Sequence, residues 1–337
     1  MTMQYLDETA SPHGLPAYVS RGSCEAAHRR IAPHIVHTPL EPSPELSRQL
    51  DAEVFLKLEN LQTTGSFKLR GVLNKILLLP AADLKKPLVA ASSGNHGAAF
   101  AYALETFDLE GHLFSPRTIS QTKLDWLRQS GVHLELVGDD AVEAEVAART
   151  YSATHGYVLI PPYNHPDIVA GQSTVGVELL MDTARLDTVL VPVGGGGLIS
   201  GIGSYIKAVS PGTAVIGCQP VASPIMCRSV QAGRIVEEES LPTLADGTAG
   251  GIEPGTITFG LCQQVVDEFV LVSEKEIASA MILMRKHCQL DIEGAAALAV
   301  AGAFKLRTQL RGKRIALIIS GSRVNPSLID ELEESYG

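Results

Sequence analysis

Thr188-Val-Leu-Val-Pro-Val-Gly-Gly-Gly-Gly-Leu198 is the stretch on which the reading of this chain turns. Residues 188–193 are almost wholly apolar, which predicts a strand buried on both faces, as in a parallel sheet. Residues 198–209 predict a helix behind it. Four glycines join the two elements where a short turn would do. Lacking side chains, they let the backbone approach a ligand and turn several N–H groups toward it. The helix N-terminus adds unpaired donors and a partial positive charge. The segment therefore reads as a phosphate cup that needs no cation. It does not complete G-x-G-x-x-G, and no G-x-x-x-x-G-K-[ST] occurs, so the dinucleotide and nucleoside triphosphate fingerprints are missing.

The rest of the chain repeats this alternation. Strands are predicted at 54–58, 88–91, 133–137, 157–160, 188–193, 214–218, 269–272 and 314–320. Helices are predicted at 21–35, 66–79, 97–106, 121–130, 141–155, 198–209 and 294–304. Residues 1–20 read as a loose arm rich in Pro, Gly and Ser. Alternating strands and helices imply an α/β fold, its parallel-type sheets covered by helices on both faces. Residues 85–160 read as a small α/β domain inserted in a larger, discontinuous one made of 1–84 and 161–337. In such sheets ligands lie beyond the carboxyl ends of the strands.

Three other segments at such positions carry chemistry. In Thr64-Gly-Ser-Phe-Lys-Leu-Arg-Gly71, Lys68 sits between Phe67 and Leu69 at a helix start. The helix dipole and partial desolvation there favour a neutral amine, the form that bonds to a carbonyl. Taken alone, the segment is equally compatible with a surface lysine. Ser92-Ser-Gly-Asn-His-Gly97 puts hydroxyls and amide donors at a second helix start, which suits a carboxylate ligand or an elaborate cap. Ser320-Gly-Ser-Arg-Val-Asn325 puts a neutral hydroxyl at the end of the last strand.

Composition narrows the partners. The 337 residues carry a net charge of −10, and the sequence pI is about 5.5. This argues against nucleic acid and anionic membranes, which need a basic face. None of the five cysteines forms a C-x-x-C pair, which suits a reducing compartment. No signal-like N-terminus and no membrane-length apolar run is present, so a cytoplasmic protein is expected.

Together and in this order, the four segments resemble the fold-type II pyridoxal-phosphate enzymes, a two-domain architecture like the tryptophan synthase β subunit. The nearest group resembles the serine/threonine dehydratases and serine racemases. The likeness spans about residues 29–325, including Pro161-Pro-Tyr-Asn-His-Pro-Asp167, Ile168-Val-Ala-Gly-Gln-Ser-Thr174 and Thr243-Leu-Ala-Asp-Gly247. It implies pyridoxal 5'-phosphate as cofactor, with Lys68 joined covalently to its aldehyde and Phe67 against its ring. Gly194, Gly195, Gly196, Gly197 and Leu198 would hold the phosphate, Asn95 the ring hydroxyl, and Ser320 would face the ring nitrogen. Ser92, Ser93, Gly94, Asn95 and His96 would surround the substrate, with Lys68 and Ser93 as the catalytic groups.

The implied activity is an ammonia-lyase that eliminates the β-hydroxyl of an amino acid such as L-threonine or L-serine. A serine- or aspartate-type racemase, a dehydratase of another substrate such as 3-hydroxyaspartate, and a non-catalytic ligand-binding protein are the alternatives. A homodimer is implied as well. Two departures stand out. Where serine racemases hold a divalent cation with acidic residues, this chain has Gln219 and Ile225, so no metal is expected. Arg323 replaces the usual asparagine and suggests a further substrate carboxylate. Because the sequence stops at Gly337, a regulatory C-terminal domain and isoleucine feedback are not expected.

Overall fold

The computed structural model describes residues 14–119, 121–139 and 141–336. Ten strands form two sheets. The larger contains β1 (Leu40–Pro42), β2 (Glu53–Lys57), β7 (Thr188–Pro192), β8 (Ala214–Pro220), β9 (Glu268–Val272) and β10 (Arg314–Ile318). Its order is β1-β2-β10-β7-β8-β9. Only the β1–β2 pair is antiparallel. The smaller sheet contains β3 (Leu88–Ala91), β4 (Gly111–Ser115), β5 (His133–Leu136) and β6 (Val158–Leu159) in the order β5-β4-β3-β6, all parallel.

The continuous apolar runs are the strands enclosed on both faces: every residue of β3 and of β7 is buried. The Ala-rich run forms the helix Gly294–Lys305, whose first ten residues are buried. Small side chains let it lie close to the sheet; a Cβ on Gly302 would stand 2.9 Å from the Cys218 sulfur. Two strands escaped the sequence reading. β1 has only three residues, one a proline, and β4 begins with Gly111 and His112 rather than with an apolar run.

The expected arm falls on 1–13, outside the described residues, and on 14–20. In the latter, Leu15 and Val19 are buried against Cys24, Val169 and Val177, so this part is docked rather than loose.

Register brings the chemical segments together. β10 lies between β2 and β7, with Ile318 opposite Lys57 and Leu317 opposite Leu190. Their carboxyl ends therefore open side by side. Ser66 and Gly321 make an isolated bridge, and the Phe67 N–H donates to the Ser320 carbonyl at 3.2 Å.

One buried charge cluster ties the Lys68 helix (Lys68–Leu77) to this edge. The Arg70 guanidinium donates to both Glu59 oxygens, at 2.7 and 2.8 Å, and to both Glu178 oxygens, at 2.6 and 2.8 Å. Lys57 adds its amine to Glu178 at 2.7 Å. All four side chains are fully buried. Burial alone would lower the Arg70 pKa, but the two carboxylates outweigh it and raise it.

Candidate active site

A cavity of about 250 Å³ lies between the two sheets. Phe67, Lys68, Ser92 to His96, Gly194 to Leu198 and Ser320, all named from the sequence, line it. Each arrives for a local reason.

The glycine segment leaves β7 and enters the helix Gly197–Val209. Its N–H groups, from Gly194 to Leu198, have no acceptor among the described residues. The Thr258 hydroxyl donates to the Gly195 carbonyl at 2.6 Å. In a trans peptide that anchor turns the Gly196 N–H the opposite way. Glycine is required here on two counts. Gly196 has φ +84°, and a Cβ on Gly195 would stand 2.6 Å from the Tyr163 ring. Five amides without acceptors among the described residues, at a helix start, suit an anion such as a phosphate.

Lys68 is the first residue of its helix. Its amine donates to the Pro162 carbonyl at 3.0 Å and lies 5.3 Å from the Phe67 ring centroid. Burial lowers its pKa to about 8, against the opposing pull of Glu145 and Glu293. The neutral fraction near pH 7 is therefore far larger than for an ordinary lysine, though still the minority form.

The Ser92–His96 loop ends two residues earlier than expected, because the helix already starts at Asn95 (Asn95–Phe107). The Asn95 and His96 N–H groups are thus first-turn donors without acceptors among the described residues. The Asn95 side-chain amide donates to both Glu293 oxygens, at 3.0 and 2.8 Å. A carboxylate accepts only, so this fixes the sense of the amide. Its Oδ1 is left buried without a partner, as an acceptor awaiting a donor such as a ring hydroxyl.

His96 lines the cavity as expected, but its ring is engaged elsewhere. Its Nε2 pairs with the Ile160 carbonyl at 2.9 Å, and burial holds its pKa near 3. The imidazole is neutral, so only its backbone N–H offers a proton to a carboxylate. Among the described residues, Arg323 is not one of those lining the cavity, although it lies close enough to the lining Glu293 to feel its charge. Its guanidinium stacks 3.9 Å from the Trp126 ring centroid, a pairing that only the fold brings about.

The sequence reading missed two acidic residues that line the cavity, Glu145 and Glu293. Burial, then Glu253, raises the Glu145 pKa. Both sit in or beside Ala-rich helical stretches, where nothing local separates them from ordinary surface carboxylates. Tyr163, Gln172, Asp246 and Gly247 also line it, all within segments that carried the resemblance.

The site fits pyridoxal 5'-phosphate: an anion cup, a lysine biased toward its neutral form, and an orphaned acceptor share one enclosed space. Comparison with known proteins agrees. The family described as pyridoxal-phosphate dependent enzyme matches residues 31–321. An L-threonine ammonia-lyase of Thermotoga maritima is 40% identical over 90% of this chain and 76% of its own. A threonine deaminase structure from Solanum lycopersicum superposes with a TM-score of 0.88 at 30% identity, covering 93% of this chain and 87% of that one. A serine racemase from Dictyostelium discoideum superposes at 0.85 with 31% identity, covering 92% and 100%. With cavity and chain-wide similarity in accord, this chain belongs to the pyridoxal-phosphate dependent enzyme family.

Proposed function

We propose that the protein is an ammonia-lyase that removes the β-hydroxyl of a hydroxy amino acid such as L-threonine or L-serine, yielding a 2-oxo acid and ammonia. The observation that carries this is the meeting of a partly neutral Lys68 amine with the phosphate cup and the Ser92–His96 donors in one small cavity. When bound, the cofactor supplies an electron sink for the pair left at the α-carbon. The amides of Gly194 to Leu198 would hold its phosphate, Asn95 Oδ1 would accept from its ring hydroxyl, and Ser320 would offer its ring nitrogen a neutral hydroxyl.

The protein groups then divide the work on the substrate. The Ser92 and Ser93 hydroxyls, with the Asn95 and His96 N–H groups, bind the α-carboxylate. Neutral Lys68 takes the α-proton. Glu145, biased by its surroundings toward the protonated form, gives a proton to the departing hydroxyl, which leaves as water. Water then hydrolyses the enamine product to the 2-oxo acid and ammonia.

Racemisation is the second reading, favoured by the Ser93 hydroxyl lining the same cavity as Lys68. Incubation with both enantiomers of threonine, serine and 3-hydroxyaspartate separates the two. The proposal expects 2-oxo acid and ammonia in equal amounts; inversion of residual substrate without ammonia refutes it. A homodimer in the cytoplasm, with 85–160 as a small domain on 1–84 and 161–337, belongs to the same proposal.

Three outcomes follow from the site. Capture of pyridoxal phosphate by cofactor-free protein should accelerate with pH, be half-maximal near the Lys68 pKa of about 8, and level off above it. A plateau reached only near the ordinary lysine pKa contradicts the burial argument. Gly195→Ala should weaken cofactor retention in equilibrium dialysis by roughly tenfold or more, since overpacking against Tyr163 costs about 1–3 kcal/mol. Prolonged EDTA dialysis should leave turnover unchanged. The Gln219 amide is spent on the Val193 carbonyl and the Cys227 N–H, at 3.1 and 2.7 Å, and Ile225 has no oxygen to offer. A metal-dependent loss of turnover would refute this.

A further inference from the structure

The rim of the smaller sheet, among the strands' amino ends, carries a second cluster. His112 on β4 stands opposite His133 on β5 in register, and Glu135 lies two residues further along β5 on the same face. The rings of His112 and His133 meet edge-on with centroids 4.8 Å apart. His133 Nε2 is 3.3 Å from Glu135 Oε1, and His112 Nδ1 is 4.0 Å from it. One ligand atom from each residue lies within 4.8 Å of the others.

Two independent observations say what this cluster would take. His112 Nδ1 is buried and has no hydrogen-bond partner, which leaves a nitrogen facing the cluster unsatisfied. The two histidines also line a surface pocket of about 520 Å³ whose charged residues are Glu105, Asp108 and Glu110, with no lysine or arginine among its lining. Stacking on Tyr157, 17° from parallel, holds the His112 ring in place. Nothing local in the sequence marks the site, because 21 residues separate its histidines (133 − 112) and only strand pairing joins them.

We propose that His112, His133 and Glu135 bind a divalent transition metal of the zinc class. Two imidazoles and one carboxylate suit zinc, with metal–ligand distances of about 2.0–2.2 Å and water completing a tetrahedron. Exposed His133 and half-buried Glu135 have room to swing the remaining distance inward. The metal would clamp β4 to β5, well away from the cavity at the strands' other ends.

The test is equilibrium dialysis of the holoenzyme against zinc ions, followed by metal analysis of wild type, His133→Gln and His112→Gln. The proposal expects one zinc per chain in wild type, displaced by nickel but not by magnesium, and lost in both variants. His133 is exposed, so His133→Gln keeps the fold and gives a readable result even if His112→Gln does not. Lyase turnover should be unaffected by His133→Gln. Zinc absent from wild type, or retained equally by His133→Gln, overturns the proposal.

Discussion

Lys68→Ala is expected to reduce kcat/KM for the β-hydroxy amino acid by about 10²–10⁴-fold or more, the range for removing a positioned proton-transfer group. The amine is a basic group within the cavity whose pKa burial lowers to about 8, so it can lose its proton near physiological pH. The carboxyl groups there lack the basicity to replace it, and the His96 imidazole is engaged with Ile160. Lys68→Arg should fail equally, because a guanidinium does not lose its proton. The phosphate cup is untouched in both variants, so non-covalent cofactor binding should persist in a fluorescence titration. Turnover within tenfold of wild type in Lys68→Ala would contradict the assigned role.

Arg70→Met should cause the largest loss of stability. It removes the guanidinium from between two buried carboxylates that it contacts at four oxygens. Glu178 keeps Lys57 as a partner, while Glu59 loses its ion pair. Breaking one side of a buried pair costs about 3–5 kcal/mol, because a charge is left in a poorly solvated site. In a chain of this size that lowers Tm by roughly 4–7 °C in thermal denaturation. The stabilisation of Glu178 also has a sign: despite burial, Arg70 and Lys57 hold its pKa below the usual range. Its contribution is present above the unfolded carboxylate pKa and is lost as pH falls through the folded one. A Tm change of only one or two degrees would show that the cluster rehydrates freely.

The two predictions rest on neighbouring residues, and they mark how far the sequence could be read. Lys68 and the glycine cup were legible because their chemistry is local: a strand, a turn rich in N–H groups and a helix start follow one another in the chain. The parallel strands β3 and β7 were legible because both faces are buried, so their apolar runs are unbroken. Arg70 looked like any charge on a helix, since its partners lie 11 and 108 residues away. Glu293 was hidden similarly, because its tie to Asn95 spans 198 residues. The stacking of Arg323 on Trp126 was not legible either, because 197 positions of chain separate the two (323 − 126) and only the fold brings them together.

The most direct measurement is borohydride reduction of the holoenzyme followed by peptide mass mapping. A pyridoxyl adduct on the peptide containing Lys68, and on no other lysine, is the predicted result. An adduct at a different lysine, or none at all, would contradict the claim that this buried amine holds the cofactor.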